Sequence, residues 1–263
     1  MNTPAQLEPV FYGGHPKNPH HGDAIRAGWK ARVVHSERQR LERGNVLHLL
    51  AGLQWGVLEL TQAVRRIGLP YVFFDRAYFG GGPKTNVLRA TRDAYQQHWV
   101  RERSPDRAHV LLKSLGLTVK PWRKSGGHIL LVPPSSAPLA ALYGLESWEQ
   151  KMLVRLTKIT DRPVVVSYKG DPKPLAERLE NCHCVVQWTS NLAVEAVLEG
   201  VPCFVAPESA ARPVCAGVDE LESWIHNPPM PDRDAWIASL AWGQFTLDEL
   251  RSGFARNVLE GEA

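Results

Sequence analysis

Cysteine is scarce, with four in 263 residues. Four thiols cannot staple a chain of this length, so a disulfide-framework fold is excluded. Long apolar runs are missing too. None reaches the roughly 18–20 residues that a membrane-spanning helix needs. Met1 to Lys17 is polar and proline-bearing, without the apolar centre of a signal peptide. A reducing cytoplasm and no membrane partner are therefore expected. Cys182-His183-Cys184 has no second ligand pair at zinc spacing, and consecutive strand residues do not converge on one ion, so no metal is expected. Gly80-Gly81-Gly82 lacks the Gly-Lys-Ser/Thr ending of a phosphate loop. No internal repeat or low-complexity tract is present.

Hydrophobic residues make up 44% of the chain and charged residues 22%, enough to bury a core in one large domain or two small ones. The formal net charge of +4 conceals an asymmetry. Residues 1–128 hold 20 Lys+Arg against 9 Asp+Glu, a net of +11, and residues 129–263 hold 11 against 18, a net of −7. Two modules with different partners are expected, divided at 127/128. A basic module suits a polyanion such as double-stranded DNA, because each cation near a phosphate releases counterions.

The second half is the more legible. Four short apolar runs, His128–Pro133, Pro163–Lys169, Cys184–Trp188 and Pro202–Ala206, read as strands. Between them, Ser147–Thr160, Pro174–Asn181 and Ser190–Glu199 read as helices, with Ser147 and Gln150 placed for a capping box. Alternating strands and helices imply a parallel sheet covered on both faces. The first half repeats this pattern in Pro9–Tyr12, Ala31–His35, Asn45–Leu50 and Pro70–Asp75, with helices over 22–30 and 54–67. A strand is expected near Val110, and helices over Asp234–Gly243 and Thr246–Val258.

In open parallel sheets, ligands bind beyond the carboxyl ends of the strands. Those ends in the second half carry Ser135-Ser136, Lys169 and Thr189-Ser190-Asn191. Hydroxyls, a point charge and a helix N-terminus together suit phosphate. Glu195, one turn into that helix, suits ribose or sugar hydroxyls. In the first half, His15 follows the Gly13-Gly14 turn and Asp75 ends a strand; each is a candidate base. Arg76, Lys84, Arg89 and Arg92, with Tyr78 among them, suit phosphate contact and base stacking, or equally a charged helix face with aromatics behind it.

The segment Trp188-Thr-Ser-Asn-Leu-Ala-Val-Glu-Ala-Val-Leu-Glu-Gly-Val-Pro-Cys-Phe204 resembles the donor-binding segment of glycosyltransferases of the two-Rossmann, GT-B fold. The resemblance implies two Rossmann-like modules with parallel sheets and C-terminal helices packing across them. It implies that Thr189, Ser190 and Asn191 meet the donor phosphates and Glu195 the donor hydroxyls. Lys169 stands where many relatives have a basic residue. The Gly13-Gly14 turn and the Asp75 strand end suit an acceptor-side module. Tyr78-Phe-Gly-Gly-Gly82 and the tail from Asp232 also look like uncharacterised proteins of tailed bacteriophages. The implied activity is metal-independent transfer of a sugar from a nucleotide-sugar co-substrate to a hydroxyl, with hydroxymethylated bases of phage DNA as one acceptor and no separate cofactor. A non-enzymatic binder of a nucleotide or host protein, and a nucleotide-sugar epimerase or hydrolase, are the alternatives.

Overall fold

A computed structural model describes residues 7–13, 19–35, 41–52, 55–80 and 86–261. The chain forms two compact units, residues 1–95 with 242–263, and residues 96–241.

The first unit opens with β1 (Glu8–Gly13), α1 (Pro19–Trp29), β2 (Arg32–His35), β3 (Val46–Ala51), α2 (Trp55–Ile67), β4 (Tyr71–Arg76) and β5 (Val87–Arg92). The second contains α3 (Asp106–Ser114), β6 (His128–Val132), α4 (Ala137–Tyr143), α5 (Trp148–Ile159), β7 (Val164–Val166), α6 (Leu175–Arg178), β8 (Cys182–Gln187), α7 (Leu192–Leu198), β9 (Cys203–Val205), β10 (Ala216–Gly217), α8 (Leu221–Trp224) and α9 (Asp234–Ala241). The chain then returns to the first unit as β11 (Gln244–Thr246), α10 (Leu247–Arg251) and α11 (Phe254–Glu260). None of the helices among the described residues is long and apolar enough to cross a membrane.

The first sheet has the order β11-β5-β4-β3-β1-β2. Strands β2, β1, β3 and β4 are parallel, while β5 and β11 are antiparallel additions at one edge. Phe245, Leu250, Ala255 and Leu259 from the end of the chain share a core with Phe11, Ile25, Trp29 and Leu49 from its beginning. At the contact of α1 with α10, Gly28 is required: a Cβ there would stand 1.8 Å from the Leu250 carbonyl oxygen. The second sheet is wholly parallel, in the order β10-β9-β8-β6-β7. Its central strands are apolar because helices cover both faces; Ile129, Leu131, Cys184, Val186 and Phe204 pack on Trp148 and Leu156 of α5.

The units do not divide at 127/128. Residues 96–127 group with the second unit and 242–263 with the first. Side-chain bonds explain the former. Gln97 Nε2 donates to Ser239 Oγ at 2.7 Å, and Arg107 Nε donates to the Ala241 carbonyl at 2.8 Å. The Arg233 guanidinium lies 4.1 Å from the Trp122 ring centre and donates to the Lys120 carbonyl at 2.7 Å. Regrouped in this way, the first unit holds 15 Lys+Arg and 11 Asp+Glu, a net of +4, and the second holds 16 of each, a net of 0. The contrast of +11 against −7 thus belongs to the halves of the chain and not to its folded units.

Three elements differ from expectation. The segment around Val110 is helical, because Ala108 and Leu112 bury one helical stripe behind the Pro105-Asp106 start. Ser147 makes no side-chain cap, since its backbone is left-handed at φ 59° instead of the extended form an N-cap takes. The tail is not one helix over 246–258. Thr246 caps α10, and Gly253, at φ 82°, separates α10 from α11.

Candidate functional site

In the second sheet, the chain leaves β6 toward β7 on one side and leaves β8 toward β9 on the other. Strands β6 and β8 are direct neighbours, with Leu131 opposite Val186 and Val132 opposite Gln187. This is a topological switch point, where diverging connections leave a crevice at the carboxyl ends. Pro133–Ser136 follow one strand and Trp188–Asn191 the other, so the sequence-predicted Ser/Thr clusters meet at one edge.

Within that edge, several hydroxyls have local duties. Ser136 Oγ accepts from Leu139 N at 3.3 Å and caps α4, while Ser135 is exposed in the loop. Ser190 Oγ accepts from Leu192 N at 3.2 Å. Helix α7 has only seven residues. Asn191 precedes it without a side-chain cap; its Oδ1 instead accepts from Gln96 Nε2 at 3.2 Å. Thr189 is buried, and its Oγ1 has no hydrogen-bond partner.

Two glutamines that sequence reasoning missed hold this turn. Gln187 Oε1 accepts from Ser190 N at 2.7 Å, and its Nε2 donates to Ser190 O at 2.9 Å. Gln96 Nε2 donates to Thr189 O at 2.7 Å, and its Oε1 accepts from Ala210 N at 2.8 Å. Both side chains are buried. Gln187 sits three residues before Ser190, a weak local signal; Gln96 lies 93 residues before Thr189 and gives none.

Glu195 reaches solvent from α7, yet the protein around it disfavours its charged form and raises its pKa, a rise that the nearby Arg178 guanidinium opposes. Arg178 itself donates to Ser167 Oγ, just beyond β7, at 2.5 Å. Lys169 is exposed in the turn after β7. Edge aromatics complete the picture: the Trp188 ring lies 6.1 Å from Tyr143 and 6.4 Å from Trp148.

In the first unit, Gly14, His15 and Lys84 lie outside the described residues, and Gly13 ends β1. Arg89 belongs to a strand and not to a charged helix face. Its side chain is 2% exposed and donates to Asp75 Oδ2 at 3.0 Å. The guanidinium lies 5.0 Å from the Tyr95 ring centre and 5.5 Å from that of Tyr78. Tyr95 Oη reaches the same Asp75 oxygen at 3.4 Å, and burial, then the Asp75 charge, raise the Tyr95 pKa. An Arg enclosed in this way offers no charge to an outside phosphate. Tyr78 is likewise buried, so neither residue has the accessible face expected for acceptor contact. Arg76 is exposed at the end of β4, and half-buried Arg92 donates to Asp93 at 3.1 Å. Cys182, His183 and Cys184 are buried in β8; His183 Nε2 donates to the Ile225 carbonyl at 2.8 Å. Among the described residues no group of three or more His, Cys, Asp or Glu is arranged to hold a metal.

No protein-family model matches the chain, and no curated protein matches it in sequence. Solved structures do. The β-Kdo 2,4 transferase of KpsC from Thermosulfurimonas dismutans aligns with a TM-score of 0.51 at 10% identity, over 89% of this chain and 90% of that one. The β-Kdo 2,7 transferase of KpsC from the same organism aligns at 0.47 and 12% identity, over 95% and 99%. The fold is thus a mixed α/β, glycosyltransferase-like one, with parallel sheets flanked by helices.

Proposed function

We propose that the protein is a glycosyltransferase that uses a nucleotide-sugar and transfers its sugar to a hydroxyl acceptor. One observation carries this reading. The switch point of the second sheet gathers Ser135, Ser136, Thr189, Ser190 and Asn191 at one edge, with Lys169 and Glu195 on neighbouring segments. Backbone N–H groups, hydroxyls and a cation there suit the donor phosphates. The Glu195 carboxylate suits vicinal hydroxyls. The glycosyltransferase-like fold supports the same reading.

His15 and Asp75 are the proposed first-unit residues for removal of the acceptor proton. Asp75 is partly exposed at 27% while paired to Arg89. The acceptor is proposed only as a hydroxyl. Modified bases of phage DNA drew their electrostatic support from a net of +11 over residues 1–128, and the folded units carry +4 and 0.

Thermal unfolding with UDP, CMP, UDP-glucose and CMP-N-acetylneuraminate tests the proposal. A ligand that binds only the folded chain raises Tm by mass action. The expected result is a rise with at least one, reduced in Lys169→Ala and Glu195→Gln. A chain indifferent to all four, and to the corresponding purine compounds, overturns it.

A further inference from the structure

The Trp188 indole N–H is buried and has no hydrogen-bond partner. Buried donors are nearly always paired, so an orphan at a ligand edge calls for a reason. Trp188 immediately follows β8, at the switch point. Its ring meets Tyr143 edge-on, with the ring planes 62° apart, and Trp148 packs behind it at 77°. Tyr143 is the last residue of α4, on the β6 side of the crevice. Its hydroxyl donates to Glu208 Oε2 at 2.9 Å, and Glu208 lies in the loop beyond β9, on the other side. The Tyr143–Glu208 bond therefore straps one bank of the crevice to the other, beside Trp188.

We propose that Tyr143, Trp188 and Glu208 form the subsite for the sugar of the donor, closed by the Tyr143–Glu208 strap and opened when a sugar replaces it. This rests on the donor reading above and adds to it the residues that see the sugar. The chemistry fits a polyhydroxylated ring. Aromatic faces take its C–H surface, a carboxylate accepts from two hydroxyls, and the indole N–H donates to an oxygen. Opening the strap releases the Glu208 carboxylate from the Tyr143 hydroxyl and uncovers the Trp188 N–H in one movement. A bare nucleotide has no group to place there, so the strap stays closed with it.

The test compares ligands that differ only in the sugar: UDP-glucose against UDP, and CMP-N-acetylneuraminate against CMP, by titration calorimetry. Trp188→Phe keeps the aromatic surface and removes the N–H. It is expected to weaken the sugar-bearing member of the bound pair about tenfold, the worth of one hydrogen bond, and to leave the bare nucleotide unchanged. Glu208→Gln, in a surface loop, is expected to shift the same ratio and serves if Trp188→Phe unfolds. Hydrogen exchange of the Trp188 indole N–H gives a ligand-free readout, expected to quicken in Tyr143→Phe. Nucleotide binding with an unchanged sugar-to-nucleotide ratio in both variants overturns the subsite and leaves the donor reading standing. Failure of the wild-type chain to bind either pair, or the corresponding purine pairs, overturns both. Equal indole exchange in wild type and Tyr143→Phe overturns the strap.

Discussion

Gln187 commits both ends of its buried amide to the turn that joins β8 to α7, and buried Gln96 ties that turn, through Thr189, to Ala210 beyond β9. Gln96→Leu keeps the volume and strands the Thr189 carbonyl and the Ala210 N–H, at about 1–3 kcal/mol for each stranded group. A loss of about 2–6 kcal/mol in urea unfolding is expected on that basis. If the loss is below about 0.5 kcal/mol, other donors must replace Gln96, since surface changes alone fall in that range. Asp75 and Arg89 call for a different test. Asp75→Asn leaves a guanidinium enclosed by aromatic rings without its counter-charge, which costs about 3–5 kcal/mol in comparable buried pairs. Adding Arg89→Met to Asp75→Asn is expected to cost much less than the two single changes together, and a double-mutant cycle reads the difference. Additive single changes would show that Asp75 supports the fold by some route other than Arg89.

The strands most easily read from sequence are those buried on both faces. Ile129, Leu130 and Leu131 of β6, and Val185 and Val186 of β8, form apolar runs that proline and turn residues bound. Strand β5 hides for the opposite reason: Val87-Leu-Arg-Ala-Thr-Arg92 places a buried Arg in its middle, and its partner β11 comes from residue 244. The site divides in the same way. Ser190 and Glu195 stand in a local pattern, whereas Gln96, Tyr143 and Glu208 acquire their roles only through partners far away in the chain. Two histidines extend the argument to pH. His48 of β3 is buried against Tyr12, 3.1 Å from its hydroxyl, and His183 is buried in β8; burial lowers the pKa of both. The unfolded chain then binds more protons than the folded one as pH falls through about 6.5, so stability drops on that side. Tm is expected to fall from pH 7 toward pH 5 and to fall less in His183→Asn; equal slopes would remove His183 from the account. At the helix level, Gly28→Ala forces α1 off the Leu250 carbonyl. Overpacking of this kind costs about 1–3 kcal/mol, and a lowered Tm with the second unit's ligand response intact is the expected signature.

Taken whole, the molecule carries less field than its first 128 residues suggest. Net charges of +4 and 0 for the two units leave few phosphates to neutralise. Plain duplex DNA is therefore expected to bind with a log–log salt slope shallower than about −4. A slope near −10 would mean that a local basic surface outweighs the totals. The return of the chain to its first unit has a consequence in time. During synthesis, the segment up to residue 95 emerges without Phe245, Leu250, Ala255 and Leu259, which complete its core. The second unit is continuous in the chain and can finish first. At roughly 5–20 residues per second, the earliest part of the protein waits on the order of 10–30 s for its missing edge strand and helices. The first unit is sealed after the second, and a ribosome that stalls in the second unit would leave an open first sheet for chaperones to hold.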